Sequence, residues 1–268
     1  MRDLKGYGRN KPSFSWPRKA AVAVSLVVNF EEGSEFSVAD GDPSNERNPE
    51  LGVTIADGRA DQGTDHQFAY GMRTGIWRIL DALEKHGFPT TFYMCGRAIE
   101  RSPDIARAIA AAGHEPACHG WRWRAHAGYK TREEELRDFT RCIDVTKEVT
   151  GERPYGFFGR GNESPWTRDL LRDLGFVYTS NALDDDLPYW DAEGGKSPLL
   201  VVPYAFDAND MRFSQPNGFA LADDFVTYVR DSLSVLIDEA AAGSPKMLSI
   251  GLHLRTSARP GRFRACRD

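Results

Sequence analysis

Residues 20–30 read AAVAVSLVVNF, apolar and largely β-branched at odd and even positions alike. A strand with one wet face alternates, so a strand apolar on both parities must be covered on both sides. That restricts the chain to a layered α/β architecture, and the rest of the sequence keeps the same beat. Residues 73–86 place Ile76, Trp77, Leu80 and Leu83 on one helical face, with Gly87 as terminator. Residues 90–95 predict a strand, and Ser102-Pro103-Asp104 opens a helix to 112. A strand at 114–119 precedes a helix over 131–150, opened by Thr131 with Glu134 as a capping box. Strands at 155–158, 176–180, 199–204 and 246–254 alternate with helices at 164–174 and 222–242. Residues 33–66 are polar and without period, which predicts a functional loop, a lid or an oligomer contact. Such alternation predicts parallel β-α units, as a barrel or a wound sheet, and no linker divides residues 1–268, so one domain is expected.

Lys and Arg number 34 against 39 Asp and Glu, a net charge of −5 without long runs of either sign. This balance excludes nucleic acid or an anionic membrane as the main partner. The four cysteines, Cys95, Cys118, Cys142 and Cys266, form no C-x-x-C pair, which argues against a metal knuckle or a disulfide framework. Residues 1–8 contain no apolar leader, and the run at 20–30 is too short to span a bilayer. A soluble protein of the cytoplasm is expected.

In parallel α/β architectures, chemistry gathers at the carboxyl ends of the strands. Asn29-Phe30-Glu31-Glu32-Gly33 follows the first strand, and His119-Gly120-Trp121-Arg122-Trp123 the third. Gly159-Arg160-Gly161-Asn162 follows the fourth, Asn181 and Asp184-Asp185-Asp186 the fifth (leading to Leu187-Pro188-Tyr189-Trp190), and His253 ends the last. Alone, each has a plainer reading: a solvated acidic pair, a hydrogen-bonded structural histidine, an arginine in an ion pair. Their shared placement on strand ends favours one pocket. A carboxylate that takes a proton from water and a histidine that protonates a leaving nitrogen suit hydrolysis of an amide-type bond. An arginine could hold an oxygen or tune the base. No G-x-S-x-G elbow and no G-x-G-x-x-G fingerprint is present, which disfavours acyl-enzyme and dinucleotide chemistry.

The order N-F-E-E-G, then A-G-H-E-x-x-x-H, then the G-R segment, D-L-P-Y-W and a strand ending G-L-H resembles the polysaccharide deacetylase family, carbohydrate esterase family 4. Within it, the chain is most similar to the branch of cofactor-independent allantoinases and related cyclic-amide hydrolases. The strings RDLKGYGR at 2–9, CHGWRW at 118–123, DANDMRFSQPN at 207–217 and RPGRF at 259–263 carry that likeness. The resemblance implies a distorted (β/α) barrel of about seven parallel strands with a shortened C-terminus, which would leave the face of the last strand uncovered. It implies Glu31 as catalytic base and His253 as general acid, with Arg160 as a third catalytic group. Glu32, His119, Trp123 and Trp190 would bind substrate. Sugar deacetylases of this family hold a divalent metal on an acid and two histidines four apart, whereas here position 123 is tryptophan. His126, three residues on, could replace the missing ligand only if its loop rearranged. No cofactor is therefore implied, and a residual divalent site at Glu32 and His119 is disfavoured. Tyr178-Thr179-Ser180-Asn181 replaces an acidic Y-D-S-D-like strand.

Three functions follow as expectations. The first is metal-free ring opening of a cyclic ureide or imide, with a small-molecule substrate and a homo-oligomer, by resemblance a tetramer. The second is a metal-dependent N-deacetylase of amino sugars or peptidoglycan. The third is an inactive binding or scaffold relative.

Overall fold

β1 (Val22–Phe30) is the central strand of the computed structural model, which describes residues 4–47, 55–56, 58–192 and 197–267. Its first half is partly exposed, with Val24 open to solvent, and only Val27 to Phe30 are buried on both faces. The two-faced burial read from the sequence thus applies to the end that leads into Glu31.

On either side of β1, β2 (Thr91–Met94) and β8 (Lys246–His253) pair in parallel, and β3 (Glu115–Cys118) follows β2. β4 (Gly156–Phe157), β5 (Tyr178–Thr179) and β7 (Leu199–Val201) continue the parallel run. β6 (Tyr189–Asp191) pairs antiparallel with β7 at the edge. The order β6-β7-β5-β4-β3-β2-β1-β8 is a curled, mostly parallel sheet that forms a half-barrel. Seven strands run parallel, as expected. The eighth, β6, lies in the D-L-P-Y-W stretch, where the sequence predicts no strand. It is short, and Pro188 stands just before it.

Crossovers between parallel strands need covering helices. α1 (Gln62–Tyr70) runs through a π turn at Gly71–Gly75 into α2 (Ile76–His86). α1 begins within the stretch expected as loop, capped by the Asp61 carboxylate on the Thr64 N–H. α2 buries Ile76, Ile79, Leu80 and Leu83, the i, i+3, i+4, i+7 stripe, and leaves Trp77 exposed, contrary to expectation. Gly87 ends α2 in the left-handed region, at φ 65. α3 (Gly96–Arg101) goes beyond the sequence expectation, whereas α4 (Pro103–Ala111) matches it. α5 (Arg132–Thr150) is capped by the Thr131 hydroxyl on the Glu134 N–H, while the Glu134 carboxylate accepts from Lys130 instead of closing the box. α6 (Thr167–Asp173) and α7 (Ala222–Ala241) match their expected places.

α8 (Pro260–Arg267) is a further element that the sequence pattern does not predict, and it packs against α7 and α2. It covers β8 in part. An apolar cavity of about 710 Å³ remains between α2, α7 and α8, lined by Leu26, Leu83, Val229, Leu233, Ile250 and Leu252. The larger core lies beneath α2 and α4 around Val28, Phe30, Phe92 and Met94, and a second lies beneath α5 and α6 around Phe139, Phe157 and Leu170. Among the described residues, no helix is long and apolar enough to cross a membrane.

Candidate active site

The β1–β8 register sets the site. Asn29 lies opposite His253, and just beyond the ends of the two strands Glu31 meets Arg255. The turn after β1 needs Gly33, whose φ of 93 favours glycine, and the Ser34 N–H returns to the Glu31 carbonyl at 2.9 Å.

Glu31 is 1% exposed and ringed by cationic or imidazole groups. Arg255 Nη1 is 2.7 Å from Oε2, while His119 Nε2 and His253 Nε2 are each 3.3 Å from Oε1. Burial alone would raise the carboxyl pKa, but Arg255 and His253 outweigh it and hold the group well below the usual carboxylate range. Arg255 Nη1 is thus the partner of Oε2, in a close buried ion pair.

His253 is positioned by Asp210, in a 3-10 turn at Asp210–Ser214. Asp210 Oδ1 is 2.6 Å from His253 Nδ1, and Oδ2 accepts the His253 N–H at 2.7 Å and the Ser257 hydroxyl at 2.6 Å. Burial would lower the imidazole pKa, but Glu31 and Asp210 together raise it to about 9. Near neutral pH the site thus holds an anionic Glu31 beside a cationic His253, the protonation states that a base and an acid require. Glu32 differs from its neighbour. Burial and the Glu31 charge push it up to about 7, although Arg255 opposes them. The Glu32 carboxylate accepts the Glu31 N–H at 3.1 Å and the Arg255 N–H at 3.2 Å. Gly71 of the π turn leaves room for it, since a Cβ there would sit 2.6 Å from Oε1.

His119 points Nδ1 at the Phe158 carbonyl and stacks on the Phe158 ring at 5.5 Å. Trp123, 7% exposed, lies with its ring centroid 4.8 Å from the Arg255 guanidinium and 6.0 Å from the Phe68 ring. His126 is pinned by Glu135 at 2.8 Å in its own buried network, so it does not reach position 123. The residues do not fit a catalytic metal ion. Both Glu32 oxygens are taken by backbone N–H groups, the third corner is an indole, and Arg255 lies 3.5 Å from Glu32. A catalytic zinc takes three protein ligands. Among the described residues, no group of three or more His, Cys, Asp or Glu converges to hold one.

Two expected members lie elsewhere. Arg160 does not touch Glu31; its fork grips Glu46 at 2.7 and 2.9 Å and its guanidinium stacks 3.8 Å from the Trp123 centroid. Trp190 stands on edge strand β6, exposed, in a separate cleft of about 1520 Å³ with Tyr7, Tyr189 and Asp184. The antiparallel turn of β6 carries it away from the strand ends.

Sequence reasoning misses Arg255 and Asp210. Arg255 is two residues beyond His253, in the turn that follows β8, where the period of a strand no longer applies. Asp210 stands inside the 207–217 block that carries the resemblance, but without a strand to mark it as a site residue. The neutral Asn181 fixes the Arg160 loop. Its side chain accepts from the Gly159 N–H at 2.6 Å and donates to the Gly159 and Gly161 carbonyls. The loop after β1 is tied to α3 and to the loop after β3, with Asp42 held by Arg122 at 2.7 Å and Asp40 by Arg101 and Arg97. The stretch 48–54 and residue 57 of the expected lid lie outside the described residues, as do Arg2 and Asp3 of the opening string.

The chain is similar to several known proteins. The family model "Polysaccharide deacetylase" matches residues 61–179. A protein of Schizosaccharomyces pombe named for the same family is 36% identical over 98% of this chain and 88% of its own. The crystal structure of Puue allantoinase is 41% identical with a TM-score of 0.92, covering 99% of this chain and 88% of that one. A structure from Pseudomonas aeruginosa assigned to the polysaccharide deacetylases is 40% identical, also at 0.92, over 99% of this chain and 89% of its own.

Proposed function

The chain belongs to the polysaccharide deacetylase family, and on that footing we propose that it opens the ring of a cyclic ureide or imide, allantoin being the leading candidate, without a metal. It is a hydrolase of carbon–nitrogen bonds other than peptide bonds. The observation that carries the finer reading is the buried pair of anionic Glu31 and cationic His253, 3.3 Å apart.

In this reading the Glu31 carboxylate takes a proton from water, and the water oxygen adds to the ring carbonyl carbon. As Glu31 becomes neutral, Arg255 loses its anionic partner and turns to the negative charge growing on the carbonyl oxygen. His253 gives its proton to the departing nitrogen, and the C–N bond breaks. The proton on Glu31 passes to His253, which resets both groups, and the new carboxyl ionises. Asp210 acts through His253 as a positioning residue. Trp123 and His119 wall the pocket, and the indole shapes it for a small flat ring.

Turnover of allantoin, hydantoin, succinimide and N-acetylglucosamine oligomers, each with and without a chelator, tests the reading. Chelator-resistant ring opening is expected. Deacetylation that chelation abolishes and zinc restores would replace it with the metal-dependent N-deacetylase, and no turnover at all would favour a binding role.

A further inference from the structure

Arg160 has the fittings of an anion receptor but not the position of a catalytic arginine. Its loop is fixed by Asn181, its fork is filled bidentately by Glu46, and its flat face lies on Trp123. The Glu46 side chain is 8% exposed while that of Arg160 is 36% exposed, so a buried carboxylate is already seated in a planar receptor that solvent can reach. The second cation on the same indole is Arg255, which holds Glu31. Trp123 is thus a wall shared by the reaction centre and by Arg160.

Ring opening turns a neutral cyclic amide into a product with a carboxylate. That charge forms beside Glu31, an anion buried at 1% exposure, and like charges repel strongly in such surroundings. Arg255 already faces both Glu31 and Glu32. On the same indole, Arg160 is held by a carboxylate of the protein itself, from the loop after β1.

We propose that Arg160 and Glu46 form a carboxylate subsite in which Glu46 holds the place that the ring-opened product's carboxylate takes. The product displaces Glu46, and the loop end that carries Glu46 is released. This rests on the ring-opening reading only for the source of the carboxylate; the subsite can be tested without turnover.

The probe is N-carbamoylglycine, the ring-opened form of hydantoin, with its neutral amide as control, titrated calorimetrically into the full chain. Glu46→Gln removes the internal competitor at constant shape, so carbamoylglycine should bind about fivefold or more tightly, and the neutral amide should not change. Arg160→Gln should weaken the carboxylate about tenfold or more, and Arg160→Lys, which keeps the charge but not the fork, by less. In the wild type, carbamoylglycine should also speed tryptic cleavage after Arg47, next to Glu46. The subsite is overturned if Glu46→Gln leaves carboxylate affinity unchanged, if the neutral amide shifts equally, or if neither protein binds the probe. Unchanged cleavage at Arg47 would overturn the release step. A protein that shows this pattern but opens no ring keeps the subsite and loses the reaction; one that opens rings without the pattern does the reverse.

Discussion

Replacing Asp210 with asparagine should move the alkaline edge of activity toward neutrality. The imidazole of His253 rises from 6.5 to about 9, which corresponds to about 3 kcal/mol in favour of the cation. Burial works against that rise, so the two carboxylates supply more than the net effect. Asp210 contacts Nδ1 at 2.6 Å and Glu31 contacts Nε2 at 3.3 Å, so Asp210 supplies a large share. Removing one opposite charge at such range lowers a pKa by about one to three pH units. The high-pH limb of kcat/KM should follow the His253 titration, expected near 9 in the wild type, and should fall by that amount in Asp210→Asn, and NMR titration of the His253 ring should report the same displacement without turnover. Stability carries the same sign. A raised histidine pKa stabilises the fold fully below 6.5, and the contribution is lost as pH rises through about 9. Asp210→Asn should flatten that loss. A limb that stays near 9 in a variant with wild-type circular dichroism would refute the assignment of His253 as the acid.

Glu31→Gln should lower kcat by about two to four orders of magnitude while substrate still binds; near-normal turnover would pass the base role to Glu32. Arg255→Met leaves Glu31 buried without its cation and should cost about 3–5 kcal/mol in denaturant unfolding, a penalty whose absence would refute the ion pair. Glu32, with its folded pKa raised from 4.5 to about 7, should make the wild type lose stability across that interval, because the native state there binds more protons than the unfolded one. Glu32→Gln should abolish that slope below the interval in which His253 contributes, as read from unfolding at about pH 5 and about pH 6.5. Dialysis against a strong chelator should leave turnover intact, and Trp123→His, which restores two histidines four apart, should raise zinc affinity while slowing the native reaction; activity lost on dialysis and regained with zinc would refute metal independence.

The strand-helix beat is legible because long elements repeat their pattern, an apolar run in a strand between covering layers and a 3.6-residue stripe in a helix. β1, β8, α5 and α7 therefore lie close to where their patterns place them. The elements that escape the pattern are short or polar. β6 is three residues beside a proline, α1 has few apolar positions, and α8 is half polar, with three arginines. Glu31, Glu32, His119 and His253 are readable because strand ends converge. Arg255 and Asp210 are not, since one stands in a turn beyond its strand and the other in a helical turn that only the tertiary fold brings to His253. Arg160 is misplaced for the opposite reason. Its strand end is right, but sequence cannot show that an acid from a distant loop claims its fork.

The closeness of Gly71 to Glu32 has a consequence for how such a chain can drift. A methyl group at position 71 would fall 2.6 Å from the Glu32 oxygen, and the clash lies within a π turn that joins two helices. While glutamate stands at 32, position 71 cannot leave glycine by a single neutral step. A shorter acid at 32 would remove the Oε1 and Cδ contacts but keep Cγ, which lies 2.9 Å from the same methyl position, so the space at 71 stays closed to alanine or serine. The two sites, 39 positions apart in sequence, are thus tied: either acid at 32 holds position 71 to glycine, and position 71 is freed only when the side chain at 32 or the π turn itself moves aside.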